Sequence, residues 1–182
     1  MKKIIFLLFF LFFTNQAQSN EKLINSLKEG GKLVFIRHAL APGGGDPENF
    51  KISDCSTQRN LNQIGIEQSK KIGSFFTENK IPIDQVLSSE WCRCKDTAKY
   101  AFKNYETFNA LNSFFSAKFA KNKNKQIKDL KKYIKNWNGE KNLIFVTHYV
   151  VISEMMNLAV SSGEIVISDK NLNLIRTIDT SN

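Results

Sequence analysis

Two histidines and two arginines could together bind and attack a phosphate group. The chain has two histidines, His38 and His148; Arg37 precedes the first, and Arg93 follows a pair of serines. Neutral imidazole is a competent nucleophile near neutral pH, and guanidinium groups bind phosphoryl oxygens in a bidentate manner. Arginines nearby also disfavour the imidazolium form and stabilise charge on a transferring phosphoryl group. These residue types indicate phosphoryl-transfer chemistry that needs neither a metal nor a cofactor.

The four residues lie at or after the ends of three segments that are typical of strands. Arg37 and His38 end the first segment, which begins at residue 33. Arg93 comes shortly after residues 83–89, and His148 follows residues 142–147. Ligand sites in open α/β sheets lie outside the carboxyl ends of the strands. We therefore expect the two imidazoles and two guanidiniums to meet at one edge of a sheet.

Helical and strand patterns alternate along the chain. The run 142–147, "NLIFVT", is continuous and β-rich, which favours a central parallel strand. Two late strands are expected, joined by a turn at Asp169–Asn171. The alternation predicts an α/β fold of three layers, with helices on both faces of a mostly parallel central sheet. Helices are predicted over 61–79, 91–102, 124–137 and 150–160, and the late strands over 164–168 and 172–178.

The first of these helices has an apolar face with one polar exception. Asn60 or Asn62 could cap its start. The expected face consists of Ile64, Gln68, Ile72 and Phe75 with Phe76, of which Gln68 is the exception.

The amino terminus is typical of a cleavable signal peptide. A short basic start precedes ten consecutive apolar residues, 4–13, and small or polar residues follow. Cleavage could fall after Ala17 or after Ser19. A membrane span needs roughly 20 apolar residues, so no stable span is expected in the mature chain, although an uncleaved interfacial tether remains open. We predict a signal peptide over 1–19, a single domain over 20–182, and a periplasmic or secreted protein.

The charge of the chain suits an acidic partner. The formal net charge is +9 and becomes +7 without the two early lysines. A small phosphorylated substrate, such as one derived from the cell envelope, would be attracted. Much of the charge lies within 118–135, which is typical of a solvated lysine-rich face. No nucleic-acid partner is expected, because aromatic and basic residues do not interleave. The sequence does not indicate an oligomeric state.

Three cysteines allow one disulfide bond in an oxidising compartment. Cys92 and Cys94 are too close in sequence to bridge each other comfortably. Cys55 could bond either of them, which would leave one thiol free.

Four segments in order resemble the histidine phosphatase superfamily, which includes the cofactor-dependent phosphoglycerate mutases. They span residues 32–157 and are "FIRHALAPG", "LNQIGIEQSKKIGSFF", "VLSSEWCRCKDTA" and "NLIFVTHYVVISEMM". The resemblance implies a phosphoglycerate mutase-like fold over 20–182 and a phosphoric monoester phosphatase. His38 would be the nucleophile and form a phosphohistidine that water hydrolyses. Arg37, Arg93 and His148 would bind the phosphoryl oxygens. Residues 37–61 are further similar to exported bacterial members.

Two departures from the superfamily pattern affect the expected chemistry. Ala39 stands at a glycine position, where we expect a methyl group to be tolerated. Many members carry a glutamate as general acid, but the matching stretch, 110–119, has no carboxylate. A poor alkoxide leaving group needs a proton donor. The nearest candidates by sequence are Asp46, Asp54 and Glu90.

The missing glutamate leaves several interpretations open. Without an acid, the enzyme would prefer easy leaving groups, as in a phosphoramidate or an acid anhydride. A non-catalytic phosphate-binding module is one alternative, and a phosphoglycerate-type mutase is a less favoured one. Gly43, Gly44 and Gly45 could make room for a bulky substrate or form an ordinary flexible loop. Arg59 could bind phosphate as an extra cation or form a structural salt bridge.

Overall fold

The computed structural model describes residues 20–181, which form a six-stranded sheet flanked by helices. The predicted signal peptide, 1–19, lies outside the described residues. The strands are β1 (Leu33–Arg37), β2 (Ile83–Ser88), β3 (Glu106–Thr107), β4 (Asn142–Thr147), β5 (Ile165–Ser168) and β6 (Leu174–Ile178). The helices are α1 (20–29), α2 (Gln63–Glu78), α3 (Cys92–Phe102), α4 (Ala117–Ala120), α5 (Lys123–Asn136) and α6 (Tyr149–Met156).

The sheet is mostly parallel, as predicted. Its strand order is β3-β2-β4-β1-β5-β6. Strand β4 pairs in parallel with both β1 and β2, and β3 pairs in parallel with β2. Strands β5 and β6 extend the sheet in antiparallel fashion beyond β1. Every residue of β4 is buried, which confirms its predicted central position.

The helices pack on both faces of the sheet, which confirms the three-layer prediction. The side chains of β4 alternate, so that Leu143 and Phe145 face one core while Ile144 and Val146 face the other. The first core also contains Leu130 and Ile134 of α5 and Val151, Ile152 and Met155 of α6. The second contains Leu23 and Leu27 of α1, Ile72 and Phe76 of α2, and Cys94 and Ala98 of α3.

Helix α2 is capped at its start by Asn62, one of the two residues predicted as its cap. The Asn62 side chain accepts a hydrogen bond of 2.9 Å from the Gly65 N–H. Gln68, Ile72 and Phe76 are buried, but Ile64 was wrongly expected on this face, because it is 65% exposed. The helix presents Gly65 to the loop after β1, where an added Cβ would lie 2.1 Å from the Leu40 carbonyl oxygen.

Other element boundaries differ from those predicted for local reasons. Helix α6 ends at Met156 rather than at residue 160, because Asn157 adopts a left-handed conformation with φ of 54°. Strand β3 has two exposed residues and α4 is a single turn, so neither carries a periodic pattern that the sequence could reveal. Within residues 20–181, no helix has both the length and the apolar character needed to cross a membrane.

Candidate active site

The backbone around His38 fixes the orientation of its imidazole. The His38 N–H donates to the Thr147 carbonyl across the sheet at 2.9 Å. The next N–H, that of Ala39, donates to the Thr97 hydroxyl of α3 at 3.0 Å. The Nδ1 atom of His38 lies 2.8 Å from the Ala39 carbonyl oxygen. A carbonyl can only accept, so Nδ1 carries the hydrogen, and the lone pair of the neutral ring is on Nε2.

His148 follows β4 and lies beside His38. The ring centroids are 5.5 Å apart and nearly perpendicular. The Nε2 atom of His148 lies 2.9 Å from the Ser89 hydroxyl, at the end of β2. That hydroxyl donates to the Asn112 side-chain oxygen at 3.0 Å. The strand ends therefore meet as the sequence predicted, and Asn112 is a supporting residue that the sequence analysis did not identify.

Both histidines are held in the neutral form. Burial lowers the pKa of His38 well below its ordinary value, and the charge of Arg93 lowers it further. The pKa of His148 is likewise well below its ordinary value, first through burial and then through Arg93. The site therefore holds an unprotonated nitrogen suited to nucleophilic attack.

Arg93 is the most deeply buried cation of the site, at 4% exposure. Its Nη1 donates to one oxygen of Asp46 at 2.7 Å and its Nη2 to the other at 3.3 Å. The indole of Trp91 also donates to Asp46, at 3.0 Å. Burial alone would raise the pKa of Asp46, but the hydrogen bond and charge of Arg93 outweigh it and lower that pKa. Asp46 is therefore a carboxylate that positions Arg93.

Arg37 and Arg59 bring two further guanidiniums to the site. Arg37 Nη1 donates to the Val160 carbonyl at 2.7 Å, and its buried Nε has no hydrogen-bond partner among the described residues. Arg59 Nε donates to the Gly45 carbonyl at 3.0 Å and its Nη1 to the Ala41 carbonyl. Burial and the charge of Arg93 lower the pKa of both. Three guanidiniums this close repel one another, and a bound dianion would relieve that repulsion.

The four predicted site residues and Arg59 line one cavity of about 440 Å³. Gly43, Gly44 and Gly45 also line it, as expected for residues that leave room, and two of them have positive φ. A larger hollow of about 620 Å³ lies between β2 and the end of α3, and its lining contains no histidine and no arginine. The smaller cavity is therefore the candidate active site.

The three candidate acids lie in different surroundings. Asp46 lines the cavity but is bound to Arg93. Asp54 accepts hydrogen bonds from Ser56 and caps a short turn, and it does not line the cavity. Glu90 accepts a hydrogen bond from Asn112 and lines a neighbouring hollow. Glu48, which the sequence analysis missed, is exposed where it lines the cavity. Its position two residues after Asp46, in the same loop, was the available signal.

Cys55 and Cys92 form a disulfide bond with Cα atoms 5.7 Å apart, which confirms one of the two expected pairings. The bond joins the loop after β1 to the start of α3, next to Arg93. Cys94 is a buried free thiol, 3.4 Å from His148 Nε2. Burial raises the pKa of Cys94 to about 12. No group of three or more metal-binding side chains is found within residues 20–181.

The six-stranded sheet, its strand order and the helices on both faces define a phosphoglycerate mutase-like fold, which solved histidine phosphatase structures share. The protein histidine phosphatase SixA, solved with tungstate, is similar over 82% of this chain and 97% of its own, with a TM-score of 0.57 and 15% identity. The mycobacterial glucosyl-3-phosphoglycerate phosphatase is similar over 79% and 96%, with a TM-score of 0.54 and 11% identity. No protein-family model and no curated protein sequence matches the chain. The likeness therefore establishes the fold.

Proposed function

We propose that the protein is an exported phosphatase that hydrolyses a phosphate monoester or phosphoramidate through a phosphohistidine on His38. The observation that carries the proposal is the cavity itself, where a neutral imidazole of fixed tautomer meets three guanidiniums. Such a site can both attack phosphorus and stabilise the transferring group.

The mechanism follows from the geometry of the cavity. His38 Nε2 attacks phosphorus, and the bond from phosphorus to the leaving group breaks with its electron pair on that group. Arg37 and Arg93 bind the phosphoryl oxygens, and His148 joins them as a donor once the bound dianion favours its protonated form. Arg59 is an additional cation in the same cavity. Water then attacks the phosphohistidine, the bond between phosphorus and nitrogen returns its pair to Nε2, and inorganic phosphate leaves.

Two independent features support export to the periplasm or the exterior. The first is the signal-like pattern of residues 1–19. The second is the Cys55–Cys92 disulfide, because such bonds persist mainly in oxidising compartments. Expression of the full chain and of a form lacking 1–19 in a bacterial host tests this. The full chain should appear shortened in the periplasm or medium, whereas equal cytoplasmic retention of both forms would contradict export.

Hydrolysis of acetyl phosphate and of an aryl phosphate tests the enzymatic proposal. The wild-type protein should release phosphate from both, and His38→Ala should release none above background. Tyr100→Ala, an exposed aromatic residue of α3 outside the cavity, is the matched control and should retain full activity. Equal rates in the wild-type protein and His38→Ala would refute the proposal.

A non-catalytic phosphate-binding module is the second candidate. It is favoured by one observation, that Asp46 is bound to Arg93 and so cannot readily give a proton to a leaving group. Equilibrium binding of inorganic phosphate without turnover of any substrate would support it. A phosphoglycerate-type mutase is a less favoured third candidate, and product analysis with a glycerate phosphate would reveal it through phosphate transfer rather than release.

A further inference from the structure

Beyond the phosphate site, the cavity is lined by aromatic rings. The Trp91 ring lies 5.4 Å from that of His148, and Phe50 stacks on Trp91 at 5.1 Å. Phe119 packs edge-on against both, at 5.4 Å from Trp91 and 5.7 Å from Phe50. All three aromatic residues line the cavity. These packed rings therefore form one wall of the cavity, from the buried Trp91 beside His148 to the partly exposed Phe50 and Phe119.

Two more rings of the cavity are exposed to solvent. Phe115 is 73% exposed and Tyr149 is 40% exposed, and both line the cavity. Large exposed apolar side chains beside a concave polar site are typical of ligand-binding surfaces. Aromatic rings favour flat partners, which they contact by offset stacking or edge to face. The cavity therefore suits a substrate whose leaving group is flat and apolar.

The polar groups of the cavity favour the same substrates. The deeper of its carboxylates, Asp46, is bound to Arg93 and to Trp91. An alkoxide, which is the conjugate base of a very weak acid, leaves poorly without a proton. A phenolate, whose conjugate acid has a pKa of about 10, leaves far more easily. Asp46 is held in its ion pair and Glu48 is exposed to solvent, so the described residues place no buried proton donor in the cavity, which disfavours alkyl phosphates.

We propose that the substrates are phosphate esters of phenols, with the aryl ring bound against Phe115, Tyr149 and the partly exposed rings of Phe50 and Phe119. This rests on the proposed function. His38 Nε2 bonds to phosphorus as the bond from phosphorus to the phenolic oxygen breaks, and that oxygen leaves as phenolate. Water then supplies the oxygen of inorganic phosphate, and one of its protons goes to the solvent or to the phenolate.

The test compares phenyl phosphate, propyl phosphate and acetyl phosphate in the full mature protein. Phenyl phosphate should exceed propyl phosphate in kcat/KM by at least about a hundredfold, the usual contribution of a general acid that alkyl esters would lack here. Phe115→Ala should lower kcat/KM for phenyl phosphate by about tenfold through lost ring contacts. It should lower kcat/KM for acetyl phosphate by clearly less, because that substrate has no ring. Tyr100→Ala is the matched control.

The outcomes separate the two proposals. Turnover of acetyl phosphate with similar kcat/KM for phenyl and propyl phosphate would overturn the aryl specificity and leave the phosphatase proposal intact. Equal losses for acetyl and phenyl phosphate in Phe115→Ala would overturn it as well. If the natural phenol is a tyrosine side chain of a protein, a phosphotyrosyl peptide should be hydrolysed better than phenyl phosphate. If the natural phenol is a small molecule, the peptide should be hydrolysed worse. If the wild-type protein turns over none of the three phosphates, the phosphatase proposal is refuted instead.

Discussion

The tautomer of His38 depends on a single carbonyl, that of Ala39, and the path of that residue is fixed by α3. The Thr97 hydroxyl accepts from the Ala39 N–H and donates to the Arg93 carbonyl at 2.7 Å. Thr97 is fully buried, so water cannot replace it. It is a positioning residue, since it acts on the nucleophile through the backbone.

Thr97→Val should therefore weaken both folding and catalysis. The substitution keeps the shape of the side chain but leaves the buried Ala39 N–H without an acceptor, which costs about 1–3 kcal/mol. Thr97→Ser retains the hydroxyl and should keep its kcat. Urea unfolding and acetyl phosphate kinetics measure the two effects. Similar kcat values for the Val and Ser variants would show that this hydrogen bond does not position His38.

The principal site residues could be predicted because each follows a strand, but their partners could not. Arg37, His38, Arg93 and His148 all line the cavity, as the strand ends implied. The pairing of Arg93 with Asp46 depends on the path of a loop that the sequence does not specify. For the same reason Asp46 was expected to be an acid, whereas its ionised form is stabilised.

At the scale of elements, the loop after β1 is joined to α3 by covalent and polar contacts. The disulfide lies one residue before Arg93, and the Gln58 side chain accepts from the Cys92 N–H at 2.9 Å. The same loop carries Asp46 and Arg59. The disulfide therefore supports the ion pair and two of the three guanidiniums at once.

Replacing both bonded cysteines with serine should lower stability and activity together. The two cysteines are 37 residues apart in the sequence. Closing a loop of that length lowers the entropy of the unfolded chain and so stabilises the fold by about 4 kcal/mol. We expect a lower free energy of unfolding and a higher KM for acetyl phosphate, because Arg93 and Arg59 lose their support. Dithiothreitol should reproduce the effect in the wild-type protein and have no further effect on the variant. A wild-type KM that does not respond to reductant would contradict this role.

The contact between α2 and α3 depends on Gly73. A Cβ there would lie 2.2 Å from the Ala101 carbonyl oxygen, a backbone atom that cannot move alone. Gly73→Ala should destabilise the fold by about 1–3 kcal/mol, as overpacking does. Gly44→Ala is the matched control, since a Cβ there meets nothing within 4 Å. Equal urea midpoints for the two variants would show that the helices can separate at little cost.

Periodicity predicted α2 well but did not explain its polar residue. Gln68 accepts from the Leu40 N–H at 2.9 Å and donates to the Ser162 carbonyl at 2.8 Å and the Thr180 hydroxyl at 3.0 Å. It thus joins the loop after His38 to the carboxyl-terminal segment. These partners are 28, 94 and 112 residues away, so local pattern could not identify them.

At the scale of the whole molecule, the two buried histidines make stability depend on pH. Their pKa values are lowered in the folded state, so the unfolded chain takes up protons near pH 6.5 that the folded chain does not. The free energy of unfolding should therefore fall as pH drops below about 6.5, by up to about 1.4 kcal/mol per pH unit for each histidine. Urea unfolding between pH 7.5 and 5.5 measures it. A free energy of unfolding that does not change over this range would mean that folding does not lower the pKa of either imidazole.

The topology could be predicted in outline because three of the four parallel strands, β1, β2 and β4, have distinct sequence signals. The runs that became β1 and β4 are mostly apolar, that of β2 includes Asp84 and Gln85, and each of the three ends in polar residues. The sequence did not predict that β5 and β6 pair in antiparallel fashion beyond β1. The edge of the sheet to which a strand adds depends on packing rather than on the residues of that strand.

Trapping the covalent intermediate tests the central claim most directly. Wild-type protein mixed with acetyl phosphate and quenched within milliseconds in alkali, which preserves phosphohistidine, should yield a phosphate adduct on the peptide that contains His38. The adduct should be absent from His38→Ala and present in Tyr100→Ala. Turnover by the wild-type protein with no adduct on His38, or with the adduct on another residue, would contradict the account.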